Sequence, residues 1–208
     1  MAADPSTIPP DPQPPGHPYR PPHVPASTST LGMWLFLIAL FMLFAAVMLA
    51  YLFIRLAGAQ SPPLHAIHLP ALLWLSTALV IGVSIALSRA LRFLRRERQE
   101  SFRDWFRVSL LMAVGFIAVQ TPAMLQLLRA HQQFRSQGLF LYGLIFFLIL
   151  IHALHVIGGI VAMVWVGIKA ERGVYDHEHY LPIRHTAMYW HFLDFVWLTM
   201  FITFLATG

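Results

Sequence analysis

The sequence predicts an all-α, polytopic membrane protein: a bundle of five transmembrane helices behind a disordered, Pro-rich N-terminal tail. Three observations carry that expectation. Of the 208 residues, 58% are hydrophobic and only 11% are charged, less than half of the ~25% charge usual in a soluble domain. The apolar residues gather into five long runs, and ten of the 15 prolines gather into the first 25 positions. The charge fraction excludes a water-soluble globule. The absence of cysteine excludes disulfides, thiolate metal sites, iron–sulfur clusters and cysteine nucleophiles.

Residues 1–30 form the tail. With so many prolines and almost no large apolar side chains before Leu31, this stretch has neither a core to bury nor the amide donors for a ladder, so an extended or disordered cytoplasmic tail is expected. It lacks the charged start and apolar stretch of a secretory signal, so the first apolar run is expected to be a retained helix. A spacer accounts for its composition more simply than a docking motif does.

Residues 31–208 form the membrane domain, with spans expected at about 31–56, 69–91, 105–128, 139–168 and 186–206. Each run is rich in Leu, Ile, Phe, Met and Ala and long enough to cross the hydrocarbon as a helix, which satisfies its own backbone where water is absent. The runs are apolar throughout and do not alternate, which disfavours a β-barrel. No recognisable repeat of twenty to fifty residues points to a solenoid or an inverted-repeat transporter.

The basic residues give the orientation. Arg89, Arg92, Arg95, Arg96, Arg98, Arg103 and Arg107 crowd around the second connection, and Arg20, Lys169, Arg172 and Arg184 fall on the same side. Only Arg55, Arg129 and Arg135 fall on the other. The positive-inside rule then puts the N-terminus in the cytoplasm and the C-terminus outside, as in a multi-pass protein of a bacterial-type inner membrane. The arginines read as a topogenic signal facing anionic lipid. No nucleic-acid partner is expected, because they are not interleaved with base-stacking aromatics.

Polar groups inside the runs are few, and such groups are costly in hydrocarbon unless paired. His152 and His155 share a face of the fourth run, three residues apart, within His-Ala-Leu-His-Val-Ile-Gly-Gly. His191 and Asp194 do the same in the fifth, and Asp194 is the one acid in any run. Gln120 precedes Pro122, which is expected to kink the third helix and free a carbonyl. Gly158 and Ala162, four apart, offer a face for close helix approach. Three readings of the histidines and the aspartate stay open: a metal or haem site, a proton path, and hydrogen bonding between packed helices. Physics ranks the last first, because these runs offer almost no polar groups to support a metal shell.

At these residues the sequence resembles subunit III of the haem–copper oxygen reductases, the cytochrome c oxidase and quinol oxidase family. The resemblance rests on Gly32-Met33-Trp34-Leu35-Phe36-Leu37, on Leu69-Pro70 with Trp74-Leu75-Ser76-Thr77, and on Gln120. It continues through His152 to Gly159 and through Tyr189-Trp190-His191-Phe192 with Asp194 and Trp197. It covers nearly everything after residue 31 and implies a five-helix form of that subunit. It further implies a chain with no catalytic residue, metal ligand or cofactor of its own, packed on catalytic subunit I, with subunit II in the same complex and haem and copper in those partners. Bound phospholipid and support of proton uptake and of durability in turnover are implied as well. Trp34, Gln120, His152, His155, Gly158, Trp190, His191 and Asp194 are then structural or lipid-binding candidates. A related accessory subunit of a nitric oxide reductase, or a stand-alone proton-handling membrane protein, are the alternatives.

The chain departs from the family at three acids. Glutamates common in it would fall at Leu40, at Ala123 and near Arg184. Any role for an intramembrane carboxylate therefore falls to Asp194.

Overall fold

The computed structural model describes residues 26–57, 71–133, 139–172 and 180–207. They form α1 (Ala26–Leu56), α2 (Ala71–Arg95), α3 (Gln99–Gln133), α4 (Leu139–Glu171) and α5 (Leu181–Thr207). The proline-rich tail up to residue 25 lies outside the described residues. Among those described there is no strand, as the apolar runs require.

The helices begin and end where local chemistry dictates. Helix α1 starts at Ala26 and so takes in the five residues before Leu31. Helix α2 runs past its apolar run to Arg95, because Arg92 and Arg95 in the last turn suit the negative end of the helix dipole. Helix α3 starts earlier than its apolar run, with Glu100 in the first turn. Between them lies a tight reversal in which Arg98 N donates to Phe93 O at 3.1 Å and Glu97 N to Leu94 O at 3.0 Å. That pattern requires a left-handed residue, and Glu97 takes it at φ 60° where glycine is usual.

Four of the five helices are, among the described residues, long and apolar enough to cross a membrane: α1, α2, α4 and α5. Helix α3 is diluted by Glu100, Arg103, Asp104 and Arg107 near its start and by Gln120. At 35 residues it is nevertheless roughly 50 Å long, and it packs along α2. Pro122 lies within it without interrupting it; one turn back, the Thr121 hydroxyl donates to Ile117 O at 2.8 Å.

Helix α5 is the hub, packing against α1, α2 and α4, while α4 also meets α1 and α3. The larger core is built by α2, α3, α4 and α5 around Leu87, Leu94, Phe102, Phe116, Met163 and Trp190. A smaller one joins α1 to α4 and α5 through Phe44, Tyr51, Leu148 and Met200. The outward faces are equally apolar, with Leu35, Phe53, Leu111, Leu154, Val161 and Ile202 exposed. A bundle hydrophobic all round is suited to lipid.

Charge collects at one end of the bundle. Arg107 grips Glu171 from α3 to α4, with Nη2 and Nε 2.8 and 2.9 Å from Oε1. The guanidinium of Arg89 stacks over Trp105 at 4.7 Å, and that of Arg95 over Tyr180 at 5.2 Å. The C-terminal ends of α2 and α4 and the N-terminal ends of α3 and α5 therefore share one arginine-rich side.

Candidate functional site

Two seams hold the polar residues singled out in the spans. The first lies between α2 and α5. Ser84 and Ser88, four apart on α2, share one helix face, and His191 of α5 fits between them: its Nδ1 is 2.7 Å from Ser84 Oγ and its Nε2 3.2 Å from Ser88 Oγ. The Ser84 hydroxyl donates to Asp194 Oδ2. A serine has one proton to give, so with it committed to Asp194, His191 Nδ1–H donates to Ser84, and in the neutral ring Nε2 then accepts from Ser88. His191 is exposed at the bundle surface, whereas Asp194 is 6% exposed and its Oδ1 is buried with no hydrogen-bond partner. Deeper along the seam, Trp197 Nε1 donates to Thr77 Oγ1 at 3.1 Å.

The expected union of His191 and Asp194 is thus made through Ser84. Neither Ser84 nor Ser88 stood out in the sequence, although their spacing of four inside an apolar helix was available as a signal.

The second seam surrounds α4 and is nearly dry of partners. His152 is 2% exposed, and both its ring nitrogens are buried without a hydrogen-bond partner. Aromatic rings enclose it: Trp197 at 5.5 Å between centroids, Phe44 at 6.1 Å and Phe116 at 6.5 Å. His155, one turn on, is half-buried; its Nδ1 lies 2.8 Å from Ile151 O and its own carbonyl accepts the Tyr189 hydroxyl at 2.9 Å. The ring of Phe44 meets that of His155 edge-on at 5.5 Å, so α1 covers both histidines. Gln120 on α3 is 7% exposed, with Oε1 buried and unpartnered.

Close helix approach falls one residue away from the expected place. Gly158 faces outward, with nothing within 4 Å of where a Cβ would stand, and Ala162 is exposed as well. It is Gly159 that faces α5, where a Cβ would sit 3.0 Å from Tyr189 and 3.3 Å from Trp190. Trp190 is fully enclosed. Trp34, by contrast, is 53% exposed on α1 and faces the surroundings of the bundle.

A metal ion needs several convergent donors. Among the described residues, no three of His, Asp and Glu converge in that way. His191 already has hydroxyls at both nitrogens, and His152 is closed in by hydrocarbon and aromatic rings. What these residues are seen to do is hydrogen-bond between packed helices and fill the space between them.

Comparison with known proteins identifies relatives of the sequence. The sequence profile of the family described as Cytochrome c oxidase subunit III matches residues 21–208. The chain is 29% identical over 178 residues to a "Probable quinol oxidase subunit 3" of Staphylococcus aureus (strain USA300), covering 82% of this chain and 85% of that protein. Over 102 residues it is 31% identical to a "Probable cytochrome c oxidase subunit 3" of Nocardia farcinica (strain IFM 10152), covering 49% of each.

Proposed function

The chain belongs to the cytochrome c oxidase subunit III family, and from that premise we propose that it is the non-catalytic subunit III of a respiratory haem–copper terminal oxidase. It packs on catalytic subunit I, with subunit II in the same complex, and those partners carry the haem and copper. The observation that carries this reading is the family match across all five helices. The enclosed His152 and the hydroxyl-bound His191 support it, because neither offers a free ligand face. The redox chemistry belongs to the partners; this chain contributes packing, lipid contact and proton support in aerobic electron transport, which sustain turnover.

Lipid contact is supported by the apolar outward faces and by the aromatic and basic residues at the arginine-rich end. There Lys169 Nζ sits 3.5 Å from the Trp165 ring centre, a pairing suited to the boundary between acyl chains and headgroups. That end is cytoplasmic by the positive-inside rule, with the C-terminus outside, in a bacterial-type inner membrane. Since the chain has no cysteine, Arg98→Cys supplies a unique thiol, and impermeant reagents should label it only from the cytoplasmic face.

The test of the whole reading is affinity purification of the tagged chain from membranes, with partner identification by mass spectrometry and a haem spectrum. Haem-bearing subunit I and subunit II should accompany it. Recovery with a nitric oxide reductase would move the assignment to that enzyme, and recovery alone, without any haem protein, would overturn it.

A further inference from the structure

The row Ser88–His191–Ser84–Asp194 has a direction. Taking ~1.5 Å of rise per residue, Ser88 lies about 10 Å and Ser84 about 16 Å inside the Arg95 end of α2. By the same rise His191 lies about 15 Å and Asp194 about 20 Å inside the Leu181 end of α5. Both ends belong to the arginine-rich side, since Arg95 stacks over Tyr180. The hydrogen-bonded order is therefore also the order of depth. It starts beside Arg92, whose Nε donates to Ser88 O at 3.4 Å, and ends at a buried carboxyl with one unpartnered oxygen.

We propose that this row is a proton relay and that Asp194 is the proton reservoir at its inner end, loaded and unloaded from the arginine-rich side. The proposal deepens the reading above and rests on it for its purpose, because a subunit that supports proton uptake needs a group that holds protons. Hydroxyl and imidazole groups pass protons by accepting on one atom while donating from another. With Asp194 as carboxylate, a proton arriving at Ser88 Oγ releases the proton already there to His191 Nε2. His191 gives up its Nδ1 proton to Ser84 Oγ, and Ser84 gives its former proton to Asp194 Oδ2. One N–H and two O–H bonds break, one N–H and three O–H bonds form, and the net change is one proton gained and one carboxylate neutralised. Every intermediate atom ends at its starting charge. The row then points the other way, with Asp194 donating to Ser84, Ser84 to Nδ1 and Nε2–H to Ser88, so it is set to run backwards and unload.

The surroundings favour this route over others. On α2 the charged neighbours are Arg89 and Arg92, at the outer end. On α4, His152 packs on the Trp197 ring and has no hydrogen-bond partner, and His155 reaches α5 through its backbone carbonyl. Helix α1 brings only Tyr51 and Arg55 among its titratable groups, and Tyr51 packs on Phe204 at the far end of α5. The described contacts of Asp194 thus lead outward through Ser84.

The experiment is a pH jump on the purified oxidase complex, followed by time-resolved infrared spectroscopy of the carboxyl C=O band that Asp194→Asn removes. Acidification should load the band, and Ser84→Ala should slow loading by about 100-fold, the scale on which a positioned proton-transfer group acts. Ser84→Thr, which keeps the hydroxyl, should load close to the wild-type rate. His191→Phe carries the same expectation as Ser84→Ala should that variant fail to assemble. Loading at the wild-type rate in Ser84→Ala or His191→Phe, or the lack of any Asp194-dependent band across the accessible pH range, would overturn the relay. Oxidase turnover measured on the same samples separates the two ideas: slowed loading with unchanged turnover keeps the relay and removes its role in proton uptake.

Discussion

His191 and His152 are both histidines within membrane spans, yet the molecule treats them in opposite ways. The α2/α5 seam gives His191 a hydroxyl at each nitrogen and links it to the bundle's one intramembrane acid, while leaving its ring at the surface. The α4 seam hides His152 among Phe44, Phe116 and Trp197 and gives its nitrogens no hydrogen-bond partner. An imidazole can thus act as a polar link or as an aromatic filler. Which it does depends on the facing helix: α2 presents serines at a spacing of four, whereas the neighbours of α4 present rings.

The largest effect should come from emptying the aromatic pocket. His152→Ala leaves a cavity beside Trp197 and should cost about 2–4 kcal/mol, read as a lower thermal midpoint of the purified complex. His152→Leu, of similar volume and free of buried nitrogens, should cost less than about 1.5 kcal/mol. Equal damage from the two substitutions would mean that the nitrogens have a partner and would erase the contrast between the seams.

Next comes the glycine pair about two turns further along α4. Gly159→Leu drives a side chain into Tyr189 and Trp190 and should cost about 1–3 kcal/mol, whereas Gly158→Leu should leave the bundle's thermal stability unchanged. Loss of subunit I from the Gly158→Leu preparation, seen by gel filtration, would identify the outward face of α4 as the docking face.

In the polar seam, Asp194→Leu strands the Ser84 hydroxyl and should cost about 1–2 kcal/mol, while Asp194→Asn keeps an acceptor and should cost less. Retention of the subunit under graded detergent challenge compares them. An Asn variant that assembles normally but turns over poorly would show that the acid matters for its proton, which is what separates this seam from its counterpart. The smallest effect is expected from Trp197→Phe, which keeps a ring against His152 and loses the hydrogen bond to Thr77, for roughly 0.6 kcal/mol.

The residues on each side of this contrast were unequally legible in the sequence. Helical period alone put His152 with His155 and His191 with Asp194, and the scarcity of acids singled out Asp194. Long apolar runs gave the five helices. The serines were silent because a hydroxyl can satisfy itself on its own helix, as Ser76 does on Leu73 O at 2.9 Å. The spacing of four between Ser84 and Ser88 marks a shared face on α2, but it does not name the partner of that face, a histidine 107 residues away from Ser84. Gly158 and Gly159 could not be told apart for a related reason: α4 is apolar all round, so no stripe marks which neighbour turns inward. The C-terminal end of α2 and the N-terminal end of α3 moved outward because the charged turns beyond the hydrocarbon there are good helix formers.

As proposed, this chain supports an oxygen-reducing partner without holding a redox centre, and comparing the complex with and without the subunit puts that role to the test. Haem and copper content and the visible spectrum should be unchanged on its removal, while the turnover rate or the number of turnovers before inactivation falls. Stoichiometric loss of haem or copper on removal would overturn that role and return His152, His155 and His191 to consideration as ligands.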